Sequence, residues 1–300
     1  MKNISWRHHY LPVFYLKGFT NQNQKFLIFD KEQNRFIKKG KEFSPSSYFF
    51  EKDANTFFKD GEKDDFLETK FLARFDDKIS NLFEQIQSSG PENKFSVSEN
   101  DMPMLQNFVN LMYWRLPHRR NDLEEYLQKE DLKGFGLFVK NEDGSTDENT
   151  IKFEEKLKND SEFKKSLGFL MSMVDTVKMV NCRTPLTIQP FIEGLPYVCS
   201  DNPVLFESEN KPKVYEDDFI FPMSGNMFFI RANKTKEYNL VFKLLVDTLV
   251  FKQAVKYVSF SDMRYYHSLN EFYNKHFKNT AELRKKIFAY IKENDTQQNL

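Results

Sequence analysis

Three short stretches carry the polar chemistry of this chain: "RHHYLP" at 7–12, "WRLPHRR" at 114–120 and "CSDNPV" at 199–204. An imidazole titrates near neutrality, so His9, set just ahead of a helix start, is suited to act as a general acid or base or to ligate a metal. Arg115 and Arg119 carry planar donor forks that match phosphate and carboxylate oxygens; they read as a substrate clamp, with His118 between them as a further contributor. Asp201 leaves a hydrophobic run where burial can tune its carboxyl, so it reads as a catalytic group that orients the histidine or binds a divalent metal. Asn202 beside it reads as a substrate-binding amide. Each residue also has a structural use. A histidine packs among rings, an arginine at a helix end offsets the dipole, and Asp and Asn close turns through their own backbone. A buried Arg115–Asp201 ion pair would hold the fold together and say little about function.

The sharper signatures of known chemistries do not occur. There is no Gly-rich phosphate loop, no H-E-x-x-H, no G-x-S-x-G and no C-x-x-C. Two classes of function fit what remains. One is an enzyme, a hydrolase or nuclease acting on a phosphate-bearing substrate such as nucleic acid or nucleotide. There His9 serves as acid or base, Arg115 and Arg119 hold the phosphate, and Asp201 assists. Asp76 and Glu68 could add carboxylates for a metal, or simply form a solvated helix face. The other is a non-catalytic module that uses the same groups to recognise a partner protein, such as a phage protein, or a small ligand. No metal ligand set or cofactor is specified by the residues, and a divalent metal is compatible with the first class.

Those residues must be positioned by the elements around them. Lys+Arg and Asp+Glu are both 44 in 300 residues, so the chain lacks the net positive field that draws basic proteins to nucleic acid, and only a local patch could do so. With 33 Phe against 10 Gly and 11 Pro, the core is expected to be packed with rings. Cys182 and Cys199 are too few and too far apart for a disulfide scaffold and read as small buried hydrophobes. No secretory leader and no run of about 18 apolar residues is visible, so a cytoplasmic protein without a membrane span is expected.

The expected class is α+β, a single compound domain over 1–300 in which helices enclose a small, mostly antiparallel sheet. Its parts are an N-terminal helix and hairpin (1–60), a helical part (61–180), a sheet part (181–235) and C-terminal helices (236–300). Pro12 opens a short helix to Lys17, which Gly18 ends in a left-handed conformation. "KFLIFD" and "RFIKK" form a hairpin, and "GKEFSPSSYFFEKD" an ordered loop. Apolar residues at three- and four-residue steps predict a helix from about Asp64 to Gln87. A second, capped by Ser98, ends near Arg115 because Pro117 disfavours helical geometry at Leu116. Helices are further predicted over Arg120 to Lys129, Thr150 to Asn159 and Ser161 to Val180. "LTIQPFIE", "PYVCS", "DDFIFP" and "NMFFIRA" read as strands of one sheet, the first at its edge because of Pro190. "LVFKLLVDTLVFKQAV" is apolar on nearly all sides and so buried, and helices at about Asp262 to Phe277 and Thr280 to Asn294 follow.

The spacing H-x-x-P-x-F-Y-L-x-x-F at His9 to Phe19, R-x-P from Arg115 to Pro117 with Arg119 or Arg120, S-D-N-P-V at Ser200 to Val204 and F-P-x-S from Phe221 to Ser224 resembles a bacterial family, the domain of unknown function 4238 family. The likeness covers residues 5 to 262. It implies a bacterial origin and one compact domain, with His9 rather than His8 as the matched histidine, and it brings no established activity. Some members resemble components of anti-phage gene sets, which implies a defence effector by analogy. Members commonly carry Asn in the late buried helix where this chain has Asp247.

Overall fold

A computed structural model describes residues 6–59, 62–64, 69, 72–88, 101–129, 139–179, 186–190, 194–209, 212–231 and 238–292. The class is α+β, with every paired strand antiparallel among the described residues. The chain divides into two compact units, each assembled from separated stretches. One takes Met1–Tyr10, Phe50–Ile79 and Pro103–Val180; the other takes Leu11–Phe49, Ser80–Met102 and Asn181–Leu300. The consecutive parts expected from the sequence are therefore interleaved.

The first unit is mostly helical. Among the described residues its strands are two short ribbons, Arg7–His9 against Phe50–Lys52 and Phe57–Lys59 against Glu62–Asp64. Asp64 thus belongs to a strand, and the helix expected to begin there is described over Ala73–Ser88. Met102–Trp114 ends where Pro117 forbids continuation, as the sequence predicts; its proposed cap, Ser98, lies outside the described residues. The next helix is Pro117–Lys129, starting before the expected Arg120 because a proline in the first turn lacks only an N–H that would be unpaired there anyway. Asp147 accepts from the amides of Asn149 and Thr150 and starts Glu148–Asn159. Asp160 does the same for Ser161–Lys164, and Leu167–Met179 follows as a separate helix. Leu123, Leu157, Leu167 and Met171 form a small core against Trp114, Phe153 and Phe163. Gly168 lets the last helix close on the earlier one, because a Cβ there would stand 2.7 Å from the Trp114 carbonyl oxygen.

The second unit holds the larger core. Phe26–Asp30 forms the expected hairpin with Arg35–Phe36, pairs also with Glu42–Phe43, and on its other side joins Tyr257–Phe260, which in turn pairs with Val198–Ser200. The strand Tyr257–Phe260 was not predicted. "PYVCS" consequently belongs to this sheet and not to the one with "DDFIFP". A separate four-stranded sheet runs Leu205–Phe206, Phe219–Ser224, Met227–Arg231 and Leu186–Pro190, with Pro190 on the edge strand as its missing amide requires. The helix Leu240–Gln253, capped by the Asn239 side chain on the Phe242 amide, is buried on most sides. It packs Phe242, Leu245, Leu249 and Phe251 into a core shared with Phe29, Phe228, Phe260 and the helices Met263–His276 and Thr280–Lys292. Within that core Lys243 and Asp247 form an ion pair, and the Tyr265 hydroxyl donates to Asp247 Oδ2 at 2.7 Å. Burial pushes the Asp247 carboxyl up, against the opposing pull of Lys243 and the two hydrogen bonds.

Gly18 departs from its expected role. Its backbone is right-handed (φ −64°), so the helix Val13–Lys17 does not end in a left-handed residue. What the position needs is space: the Gly18 carbonyl accepts from Gly225 N at 2.9 Å, and a Cβ would meet that of Ser224 at 3.0 Å.

Candidate functional site

The pairing of Arg7–His9 with Phe50–Lys52 sets which way each histidine faces. Neighbours along a strand face opposite sides, and directly opposed residues share a side. His8 opposes Glu51 and His9 opposes Phe50. His9 lies with its ring 5.5 Å from that of Phe50, and its carbonyl oxygen accepts from Arg115 Nη2 at 2.6 Å. His8 is buried, 1% exposed, and its ring lines a pocket of the first unit together with Tyr10, Glu51, Trp114, Arg115, Arg120 and Lys165. His8 lines this pocket and His9, the histidine expected to do the chemistry, does not.

The pocket volume is ≈ 30 Å³, room for about two waters at about 10–15 Å³ each. That suits one compact oxyanion group, with the rest of any larger ligand lying outside. Among the described residues three cationic side chains line it, Arg115, Arg120 and Lys165, with one carboxylate, that of Glu51. The lining thus gathers forked and ammonium donors, each with a carboxylate close by. His8 Nδ1 accepts from the Asn55 amide at 2.7 Å, which fixes the orientation of the ring. Trp114 is held by its indole N–H to Asp175 Oδ2 at 2.6 Å, which fixes the aromatic wall.

The cations are held in place by carboxylates and carbonyls. Arg115 Nη1 stands 3.4 Å from Asp76 Oδ1, so the sequence's alternative for Asp76, a solvated face, does not hold. Glu68 is outside the described residues. Lys165 Nζ donates to Thr56 O at 2.7 Å and to both oxygens of Glu162 at 2.9 Å. Arg120 Nη1 stands 3.0 Å from Glu51 Oε2. Arg119, the arginine expected in the clamp, does not line the pocket. It pairs with Asp122 at 3.3 Å and lies 4.5 Å above the Tyr113 ring, so Arg120 takes the place expected for it.

His118 is also outside the lining, and its Nε2 is buried with no hydrogen-bond partner among the described residues. Burial pushes its imidazole from 6.5 down to about 4, the Arg119 guanidinium adds to this, and Asp122 opposes it. Between those values the unfolded chain binds a proton that the folded chain does not, so stability falls as pH drops through this window. The full loss is on the order of 3 kcal/mol. Urea unfolding at pH 7 and pH 4.5 is expected to show His118→Asn with a flatter dependence than wild type; equal slopes reject the assignment.

Asp201 and Asn202 have main-chain tasks in the second unit. The Asp201 carboxylate accepts from the amides of Val255, Lys256 and Tyr257 at 2.8, 2.7 and 2.9 Å. Three of its about four acceptor positions are so used. Burial raises its pKa, while these amides and Lys31 oppose the rise. Lys31 Nζ caps the same corner from the other charge, donating to Lys252 O and Ala254 O at 2.8 and 2.6 Å. Asn202 Nδ2 donates to Gln253 O at 3.2 Å, and Gln253 Nε2 returns to Asn202 O at 2.5 Å. The stretch is a clamp on the turn between Leu240–Gln253 and Tyr257–Phe260, the turn chemistry that Asp and Asn also suggested. The partners of Arg115 and Asp201 are thus Asp76 and backbone amides, in place of the ion pair between the two.

Among the described residues no group of three or more His, Cys, Asp and Glu is placed to hold a metal ion, and no helix is long and apolar enough to cross a membrane. Cys199 is a buried thiol whose pKa burial pushes up to about 12, as expected of a small hydrophobe; Cys182 is outside the described residues. No curated protein and no solved structure matches the chain. One family model does, over residues 7–290, nearly the whole length, and the chain belongs to the family it describes, "Protein of unknown function (DUF4238)".

Proposed function

We propose that the protein recognises phosphate-bearing ligands, such as a nucleotide or the end of a nucleic acid, by seating the phosphate in the first unit's pocket. The observation that carries this reading is the convergence of Arg115, Arg120 and Lys165 on one pocket, with the His8 side chain beside them. Guanidinium groups give forked donors for phosphate oxygens and the ammonium adds charge. Recognition is favoured over turnover because the His8 Nδ1 lone pair, which a general base would use, is already taken by the Asn55 amide. Asp201, the other group expected to do catalysis, is engaged by three amides.

Titration calorimetry with inorganic phosphate and AMP tests this. Arg120→Ala is expected to weaken binding about 10- to 100-fold, the worth of a charged hydrogen bond at about 1.5–3 kcal/mol. Arg119→Ala is expected to change it less than about twofold, since its guanidinium is engaged with Asp122 and Tyr113. Equal effects of the two, or no binding by wild type, overturn the reading; phosphate release from AMP would move it to hydrolysis. We propose an anti-phage setting for this recognition, to be judged by plaque counts on cells carrying wild type or Arg120→Ala.

A further inference from the structure

We infer that Glu51 is a built-in competitor for Arg120, and that the pocket therefore selects dianionic terminal phosphates over diesters and carboxylates. The inference rests on the phosphate reading above. Each of the three lining cations has a carboxylate neighbour: Asp76 for Arg115, Glu162 for Lys165 and Glu51 for Arg120. Of these carboxylates only Glu51 itself lines the pocket. Its place opposite His8 in the ladder puts its side chain on the pocket face.

The Glu51–Arg120 contact is close but poorly aligned. Oε2 is 3.0 Å from Arg120 Nη1, yet this buried oxygen makes no hydrogen bond among the described residues. Both side chains keep some exposure, 34% and 23%, so the carboxylate has room to swing outward. An arriving anion must take Arg120 from Glu51. A carboxylate or phosphodiester brings one charge and only replaces the one it displaces. A terminal phosphate carries about −1.5 to −2 at pH 7 and three acceptor oxygens, enough to engage Arg120 and Arg115 together after the exchange. Glu51 thus converts a general anion site into one that responds to the second charge.

Calorimetry with methyl phosphate and dimethyl phosphate on wild type, Glu51→Gln and Glu51→Ala separates the possibilities, with thermal melting as the check that each variant is folded. Wild type is expected to prefer methyl phosphate by roughly tenfold or more, and to lose that preference below about pH 6 as the dianion takes up a proton and becomes a monoanion. Both variants are expected to bind methyl phosphate roughly tenfold more tightly, because a charge pair no longer has to be broken, and to discriminate less between the two ligands. Binding by wild type that is unchanged or weakened in the variants overturns the competitor role and leaves the phosphate reading standing. Equal wild-type affinity for both ligands does the same, and settles the matter even if neither variant folds. No binding of methyl phosphate by any of the three proteins overturns both.

Discussion

Asp201→Ala is expected to cost about 3 kcal/mol of folding stability, since it leaves three part-buried amides without their acceptor, at the lower end of about 1–3 kcal/mol each. Against a total stability of about 5–15 kcal/mol this is a large share. The amides of Val255, Lys256 and Tyr257 sit where the chain leaves one buried helix and enters a central strand, and with Val255 half exposed water replaces the carboxylate only in part. Asp201→Asn keeps one acceptor oxygen but turns an NH₂ toward an amide, and is expected to recover only part of the loss. Urea unfolding gives the answer: a change below about 1 kcal/mol for the alanine variant rejects the clamp. Phosphate binding, measured under conditions where the variant remains folded, is expected to be unaltered, which separates this role from a catalytic or ligand-binding one.

The second large effect is expected at Asp247. Lys243 is 1% exposed and Asp247 3% exposed, so the ammonium has its counter-charge beside it and no solvent. Asp247→Asn removes the charge while nearly preserving the shape, and is expected to cost about 3–5 kcal/mol, the penalty for stranding a buried charge. Lys243→Met combined with Asp247→Asn is expected to recover most of that, because the pair's attraction chiefly offsets its own desolvation. A double-mutant cycle by urea unfolding measures the coupling, and strictly additive losses would contradict it.

How much of this was legible beforehand differs between fold and site. The α+β class, the hairpin of Phe26–Asp30, the edge position of Pro190 and the buried character of Leu240–Gln253 all follow from local pattern, and the structure has each of them. The strand Tyr257–Phe260 was missed because four residues directly after a helix carry too little periodicity to stand apart from its tail. Once it is absent, "PYVCS" has no partner in its true sheet and is assigned to the wrong one. At the pocket, Arg115 was readable from its helix end, but choosing between His8 and His9 needed the strand Arg7–His9 and its register. Glu51 lay in a stretch read as loop, so its place across from His8 had no local signal. Arg119 and Arg120 differ by one step of a helix, about 100°, and only the packed unit says which of them reaches the pocket. The signal for Asp201 was present and double-edged, since an Asp-Asn-Pro turn after a strand is ordinary backbone chemistry before it is catalysis.

The central sheet also dictates when the protein can become itself during synthesis. Phe26–Asp30 leaves the ribosome early, yet its partner on one side, Tyr257–Phe260, is more than 220 residues downstream. Until that late segment emerges, a strand of five buried residues has one flank without its ladder, a condition that invites holdase chaperones or wrong pairings. Closing so long a loop is slow, so the second unit is expected to acquire its core only after translation has passed Phe260, and fragments ending earlier are expected to be insoluble.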